Sequence, residues 1–278
     1  MATIEVTQVA NVEIGRGRPL VLIAGPCVIE SRDHTLRMAE GIARITRRLE
    51  IPFIFKASYD KANRTSVDSF RGPGLDEGLR ILAEVRRELD TPVLSDVHAP
   101  EQAGPAGEVL DCLQVPAFLC RQTDLLLAAA KAGKAVNVKK GQFMSPEEMA
   151  NVVGKMTSTG NENVLLTERG TFFGYNRLVN DFTGIRRMQA FAPVVMDATH
   201  SCQLPGGAGS QSGGLREFVE PLALAGVAAG ANALFLEVHD DPERARSDPA
   251  TVYPLDRLES LLACCLRIFA AVQDRPPR

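Results

Sequence analysis

The sequence predicts an α/β protein, a (β/α)8 barrel, on three observations. Short apolar runs recur between longer segments of helical period; the runs do not alternate apolar with polar; and no Pro/Ser-rich linker or shift of composition divides the chain. Runs that are apolar throughout suit parallel strands covered on both faces. The 45% hydrophobic content with only 5% aromatic residues and no Trp means that Ala, Val, Leu and Ile must build the interior. At 278 residues such a chain can bury roughly three quarters of the surface it exposes when unfolded.

In chain order, Ile4, Val6, Val9, Val12 and Ile14 around Gly15-Arg16-Gly17 predict a hairpin, within residues 1–19, laid across one end of a barrel that occupies the whole chain. The apolar runs are Val21–Ala24, Phe53–Phe55, Val93–Leu94, Cys112–Val115, Ala135–Val138, Val164–Leu166, Val194–Met196 and Ala233–Leu236. Between them Leu36, Ala39, Ile42, Ile45 and Leu49 form one helical stripe, and Leu75, Leu79, Leu82, Val85 and Leu89 form another. Ser145-Pro146-Glu147-Glu148 carries an N-cap serine, a proline at the first helical position and a capping-box glutamate, so a helix should start there. Pro221 to Leu236 is too short and too broken for a membrane span and reads as a buried helix running into a buried strand. A doubly wound sheet is the main alternative, but Ala24-Gly25-Pro26-Cys27 after the first strand is no dinucleotide fingerprint.

Composition narrows the function classes. With 31 Lys+Arg against 34 Asp+Glu, a net charge of −3 argues against a nucleic-acid or membrane-surface partner. Six scattered cysteines behind a start, Met-Ala-Thr-Ile-Glu, that lacks a basic and then apolar leader favour a reducing cytoplasm over a disulfide framework.

Active sites of (β/α)8 barrels gather at the C-terminal ends of the strands. Here those ends are polar: Cys27, then Lys56 and Ser58, Asp96 and His98, Gln114, Lys139, Glu168 and Arg169, Asp197 and His200, and finally Glu237 and His239. One such residue is as readily a solvated strand end; their coincidence on all eight strands points to an enzyme. Cys27, His200 and Glu237 end strands that become neighbours on closure, and Asp248 follows the last of them. A thiolate, an imidazole and two carboxylates suit a divalent transition metal, although singly Cys27 reads as a small buried residue and Asp248 as a turn residue. His98 and His239 compete as ligands. Lys56, Lys61, Arg64, Lys139 and Arg169, with Arg121 nearby, form a cationic set suited to a highly charged anion. A Schiff-base lysine is the competing chemistry. Gly206 to Gly214 is a weak nucleotide motif and reads better as a mobile loop over the site.

Several segments resemble signatures of the 3-deoxy-D-manno-octulosonate 8-phosphate synthases: Ile23-Ala24-Gly25-Pro26-Cys27, Phe55 through Ser66, Pro116 through Asp124, Asn137 through Phe143, Leu166 through Gly170, Asp197 through Ser201, and Gln203 through Gly207. They run in order over about residues 20 to 265. The resemblance implies a homotetrameric barrel that condenses phosphoenolpyruvate with arabinose 5-phosphate, releases phosphate by C–O cleavage, and feeds lipopolysaccharide synthesis. By similarity Lys56, Lys139 and Arg169, with Ser58, hold phosphoenolpyruvate, and Lys61, Asn63, Arg64 and Thr65 receive the sugar phosphate. Arg121 is expected at a subunit interface, reaching toward a neighbour's site. Candidate catalytic groups are then Lys56, Lys61, Asp96, Lys139 and His200, and candidate substrate-binding groups Ser58, Asn63, Arg64, Thr65, Gln114, Arg121 and Arg169. Members with Cys in the Ala-Gly-Pro-Cys segment depend on a metal, and the resemblance matches Cys27, His200, Glu237 and Asp248 to its ligands. One soft and three harder donors tolerate Zn, Fe, Mn, Co or Cd. Two readings compete: a 3-deoxy-D-arabino-heptulosonate 7-phosphate synthase, whose motif is Lys-Pro-Arg-Thr where this chain has Lys61-Ala62-Asn63-Arg64-Thr65, and a catalytically silent sugar-phosphate-binding barrel.

Overall fold

A computed structural model describes residues 3–64, 66–208 and 211–273. Eight parallel strands close into a barrel: β1 (Val21–Gly25), β2 (Phe53–Lys56), β3 (Val93–Asp96), β4 (Cys112–Val115), β5 (Ala135–Lys139), β6 (Val164–Glu168), β7 (Val194–Asp197) and β8 (Ala233–His239). Each pairs with its neighbour in sequence, and β8 closes on β1 with Leu234 opposite Leu22 and Glu237 opposite Gly25. All eight apolar runs are thus strands of one sheet. The outer layer is α1 (Arg32–Arg48), α2 (Leu75–Leu89), α3 (Pro100–Val109), α4 (Thr123–Lys131), α5 (Met149–Thr157), α6 (Thr183–Met188), α7 (Val219–Ala228) and α8 (Leu255–Gln273). Pro221 to Leu236 is α7 running into β8, and among the described residues no helix is long and apolar enough to cross a membrane.

Local chemistry explains these boundaries. Ser31 caps α1, its hydroxyl accepting from His34 N at 3.2 Å, and Arg47 and Arg48 lie in the last turn where the helix dipole favours cations. Met38, Ala39 and Ile42 on its apolar stripe are buried against the sheet, each large aliphatic contributing about 1.5–3 kcal/mol. The capping box forms reciprocally, Glu148 N donating to Ser145 Oγ and Ser145 N to Glu148 Oε2. It opens one turn bonded three residues apart, as Met149 N donates to Pro146 O, so the α-helix proper starts at Met149, later than the capping motif suggests.

Two corrections concern the ends of the barrel. The N-terminal hairpin pairs Val6–Val9 with Val12–Gly15, but it turns at Ala10-Asn11, with Ala10 in the left-handed region (φ 49°), and not at Gly15-Arg16-Gly17. Its Val9, Val12 and Ile14 plug the barrel floor beneath Val21, Ile23, Ile54, Leu94, Leu165 and Val195. At the opposite end the glycine-rich stretch is not simply a loop: Gln203–Ala208 and Gln211–Gly214 pair as antiparallel arms.

Strand alternation connects fold to chemistry. Side chains two apart line one face of a strand. The inward positions therefore carry an apolar lower layer (Ile54, Leu94, Cys112, Ala135, Leu165, Val195, Phe235) and, two residues on, a polar upper one: Lys56, Asp96, Gln114, Asn137, Thr167, Asp197 and Glu237.

Candidate active site

The upper layer floors a cavity of about 660 Å³ at the C-terminal mouth. Its walls include Lys56, Lys61, Asn63, Arg64, Asp96, Gln114, Lys139, Arg169, His200, Glu237 and Asp248. Of the predicted residues that the structure describes, Cys27, Ser58 and Arg121 do not line the cavity. Ser58 is fully buried beneath the wall, its hydroxyl donating to Asp96. Arg121 is exposed and borders a separate surface groove beside α5, so within this chain it does not join the mouth; it follows the 3₁₀ turn Ala117–Leu119 after β4. Thr65 lies outside the described residues. Glu168 points outward, because strand parity sends it to the opposite face from Thr167, and it pairs with buried Lys140 at 3.6 Å.

Cys27 follows Gly25, which must be glycine because a Cβ there would sit 2.0 Å from Lys56 O. This close approach of β1 to β2 brings Cys27 O to 2.9 Å from Lys56 Nζ. Ligand atoms of Cys27, Glu237 and Asp248 lie within 4.8 Å of one another. Cys27 Sγ is 3.2 Å from Asp248 Oδ2 and 2.9 Å from Ser247 Oγ. Asp248 holds a left-handed φ of 50°, a strained backbone at the position that aims its carboxylate inward. His200 approaches from β7: Asp197 accepts from its Nδ1 at 2.6 Å and from its backbone N at 2.9 Å, which leaves Nε2 as the free lone pair, 3.5 Å from Glu237 Oε1. Glu237 Oε2 is buried and finds no hydrogen-bond partner among the described residues. A thiol and two carboxylates, one with an orphaned oxygen, fit a divalent cation, and the oriented His200 imidazole stands beside Glu237 although it falls outside the mutual 4.8 Å of the other three. His239 is not part of this set; it stacks on His34 and lies 3.3 Å from Glu30. Nor is His98, whose ring stands edge-on to Tyr59 at the cavity wall.

The electrostatics follow from burial and pairing. Burial, then Glu237 and Asp248, push the Cys27 thiol well up. Burial resists ionising Glu237, yet Lys56, at 2.7 Å, with His200, Lys61 and Lys139 holds its carboxyl well below the usual carboxylate range. Asp96 is likewise lowered against its burial by Lys56 and Lys61, and Asp197 by His200 and Lys139. Burial lowers Lys139, whose ammonium pairs with Asp197 and lies 3.6 Å over the Phe235 ring. Arg169 Nη2 donates to Gln203 Oε1 and His200 O, and its buried Nη1 has no partner among the described residues. At the rim Arg64 donates to Ser247 Oγ at 2.9 Å and to Arg246 O at 2.7 Å. Cations with unsatisfied donors around an acidic, metal-ready corner can hold an anion beside a Lewis acid.

Sequence reasoning assigned no role to Ser247, which bridges Cys27 and Arg64, or to Gln203, which bridges Arg169 and Asp248 through Nε2 at 3.0 Å. Their adjacency to Asp248 and His200 was the available signal. Cys202 is a buried residue whose Sγ lies 3.2 Å from Ala198 O, and burial pushes its thiol up to about 12.

The pattern that defines the DAHP synthetase I family matches residues 3–273. Among curated relatives, the 2-dehydro-3-deoxyphosphooctonate aldolase of Geobacter metallireducens is 60% identical over 266 residues, 95% of this chain and 98% of that protein. The protein of the same name from Trichlorobacter lovleyi is 60% identical over the same shares, and that of Geobacter sp. strain M21 is 59% identical over 98% of this chain and 100% of its own.

Proposed function

Since the chain belongs to the DAHP synthetase I family, we propose that it condenses phosphoenolpyruvate with arabinose 5-phosphate and water, giving 2-dehydro-3-deoxyphosphooctonate (3-deoxy-D-manno-octulosonate 8-phosphate) and inorganic phosphate. The relatives that carry this product in their name and share about 60% of the chain's residues carry the reading. C3 of the enol attacks the sugar aldehyde, water adds at C2, and phosphate leaves by C–O cleavage. It is an enzyme of the transferase type. The alternative, the seven-carbon product named by the family, is disfavoured by Asn63 between Ala62 and Arg64 in the sugar-phosphate segment.

Lys139, Arg169 and Gln114 receive the phosphoenolpyruvate anion, supported by their places on the cavity wall and by the free Nη1 of Arg169. Lys61, Asn63 and Arg64 receive the sugar phosphate at the rim. Lys56 donates to Glu237, and Asp96 accepts from Gln114 and Ser58, which fixes the polar layer of the floor. Asp197 holds the proton on His200 Nδ1, so that Nε2 faces the reacting centre. Cys27, His200, Glu237 and Asp248 would hold a divalent ion, which when bound supplies Lewis acidity to an aldehyde or water oxygen. Arg121 reaches a neighbouring subunit's site in a homotetramer; the exposed Phe118, Phe143, Phe173 and Tyr175 support an assembled state. The enzyme works in the cytoplasm and feeds lipopolysaccharide synthesis.

The test compares phosphate release with arabinose 5-phosphate and with erythrose 4-phosphate, metal content being measured on the same sample. Preference for the five-carbon sugar is expected. Preference for erythrose 4-phosphate would move the enzyme to the seven-carbon reaction, and no turnover with either would favour the silent barrel.

A further inference from the structure

Across the floor of the site one hydrogen-bonded chain passes through consecutive strands. Thr167 Oγ1 on β6 donates to Asn137 Oδ1 on β5 at 2.6 Å, and Asn137 Nδ2 donates to Gln114 Oε1 on β4 at 2.9 Å. Gln114 Nε2 donates to Asp96 Oδ1 on β3, and Ser58 Oγ after β2 donates to Asp96 Oδ2. Every member is buried, at 0–6% exposure, so water cannot substitute for a missing partner.

The polarity of the chain is fixed from one end. Asp96, ionised, only accepts, so Gln114 must turn its amide nitrogen toward it. The Gln114 oxygen then faces Asn137, which must answer with its own nitrogen, and the Asn137 oxygen requires the Thr167 hydroxyl as donor. An amide cannot reverse alone, because each reversal would set two acceptors or two donors against each other at the next link. Gln114 lines the cavity while Asn137 does not.

We infer that Asn137, held by Thr167, is a positioning residue that acts with Asp96 to lock the Gln114 amide with its nitrogen toward Asp96, so that the second N–H of that nitrogen serves the phosphoenolpyruvate anion. The inference rests on the substrate reading above. It gives Asn137 and Thr167, neither of which lines the cavity, a share in substrate binding.

Asn137→Asp keeps shape but places an acceptor against Gln114 Oε1, so the amide must reverse and turn an acceptor toward Asp96. With the metal-loaded enzyme, KM for phosphoenolpyruvate should rise about tenfold, the loss of one hydrogen bond to a charged group, while KM for arabinose 5-phosphate stays within about twofold. Thr167→Val, which removes the last donor, should shift the same KM in the same direction, and Thr167→Ser should restore it. This pair carries the test if Asn137→Asp fails to fold. A general loss of structure would instead move both KM values and the melting temperature together. Variants that match a wild type turning over phosphoenolpyruvate, or Val and Ser variants that behave alike, would overturn the inference alone. A wild type that does not use phosphoenolpyruvate would overturn the substrate reading and the inference with it.

Discussion

Lys56 Nζ lies 2.7 Å from Glu237 Oε1, and both side chains are at most 1% exposed. A charge pair so far from water is sustained by its partners, and removal of one leaves the other unpaired. Lys56→Met should therefore destabilise the metal-free protein by about 3 kcal/mol, and Lys56→Met combined with Glu237→Gln should recover part of that loss. Urea unfolding of the three proteins checks it; equal stability of wild type and single variant would show that Lys61 and His200 compensate fully.

Removal of the metal should abolish phosphate release, and an added divalent ion should restore it. Cys27→Asn should keep some turnover without metal, because the family that the sequence resembles also has metal-independent members with Asn at that place, whereas His200→Ala should bind metal poorly when measured by elemental analysis after dialysis. Full activity of a verified metal-free wild type would remove the metal from the mechanism.

Stability should depend on pH through Asp96. Its carboxyl is held below the usual carboxylate range in the folded state. The stabilisation it gives is complete above its unfolded value, about 4, and is lost as the pH falls through the folded one. The stability difference between wild type and Asp96→Asn should thus be full at about pH 7 and shrink below about pH 4. Urea titrations across that range measure it, and a difference constant with pH would contradict the shift.

The barrel floor should affect stability but not chemistry. Ile14 is fully buried at the end opposite the cavity. Ile14→Ala should cost about 2–5 kcal/mol and leave KM for both substrates unchanged.

The strands and most of the residues that line the cavity were legible because one physical rule wrote both. Parallel strands covered on both faces must be apolar until the rim, so the first polar inward residue, Lys56 or Asp96 or Glu237, marks where the strand meets the cavity. What escaped depends on spacing that a linear pattern does not carry. Ala10 takes a left-handed conformation without being glycine, so the hairpin turn had no signal, while Gly15 and Gly17 supplied a false one. Strand parity turns Glu168 away from the mouth although it ends its apolar run as Lys139 does. Asn137 lay inside the run Ala135–Val138 and drew no assignment, because its meaning lies in the residues of the two adjoining strands.

The hairpin at the floor also bears on how the chain is made. Thr3 Oγ1 bonds Ala190 O, Ile4 N bonds Phe191 O, and Thr7 Oγ1 bonds Val164 O, contacts spanning up to 187 residues of sequence. At about 5–20 residues per second of synthesis, Val9, Val12 and Ile14 wait on the order of ten seconds or more for these partners. During that interval a two-stranded ribbon is too small to be stable alone. Its apolar residues then stay uncovered until the later strands emerge, and a floor that ends up buried is for a time open to water.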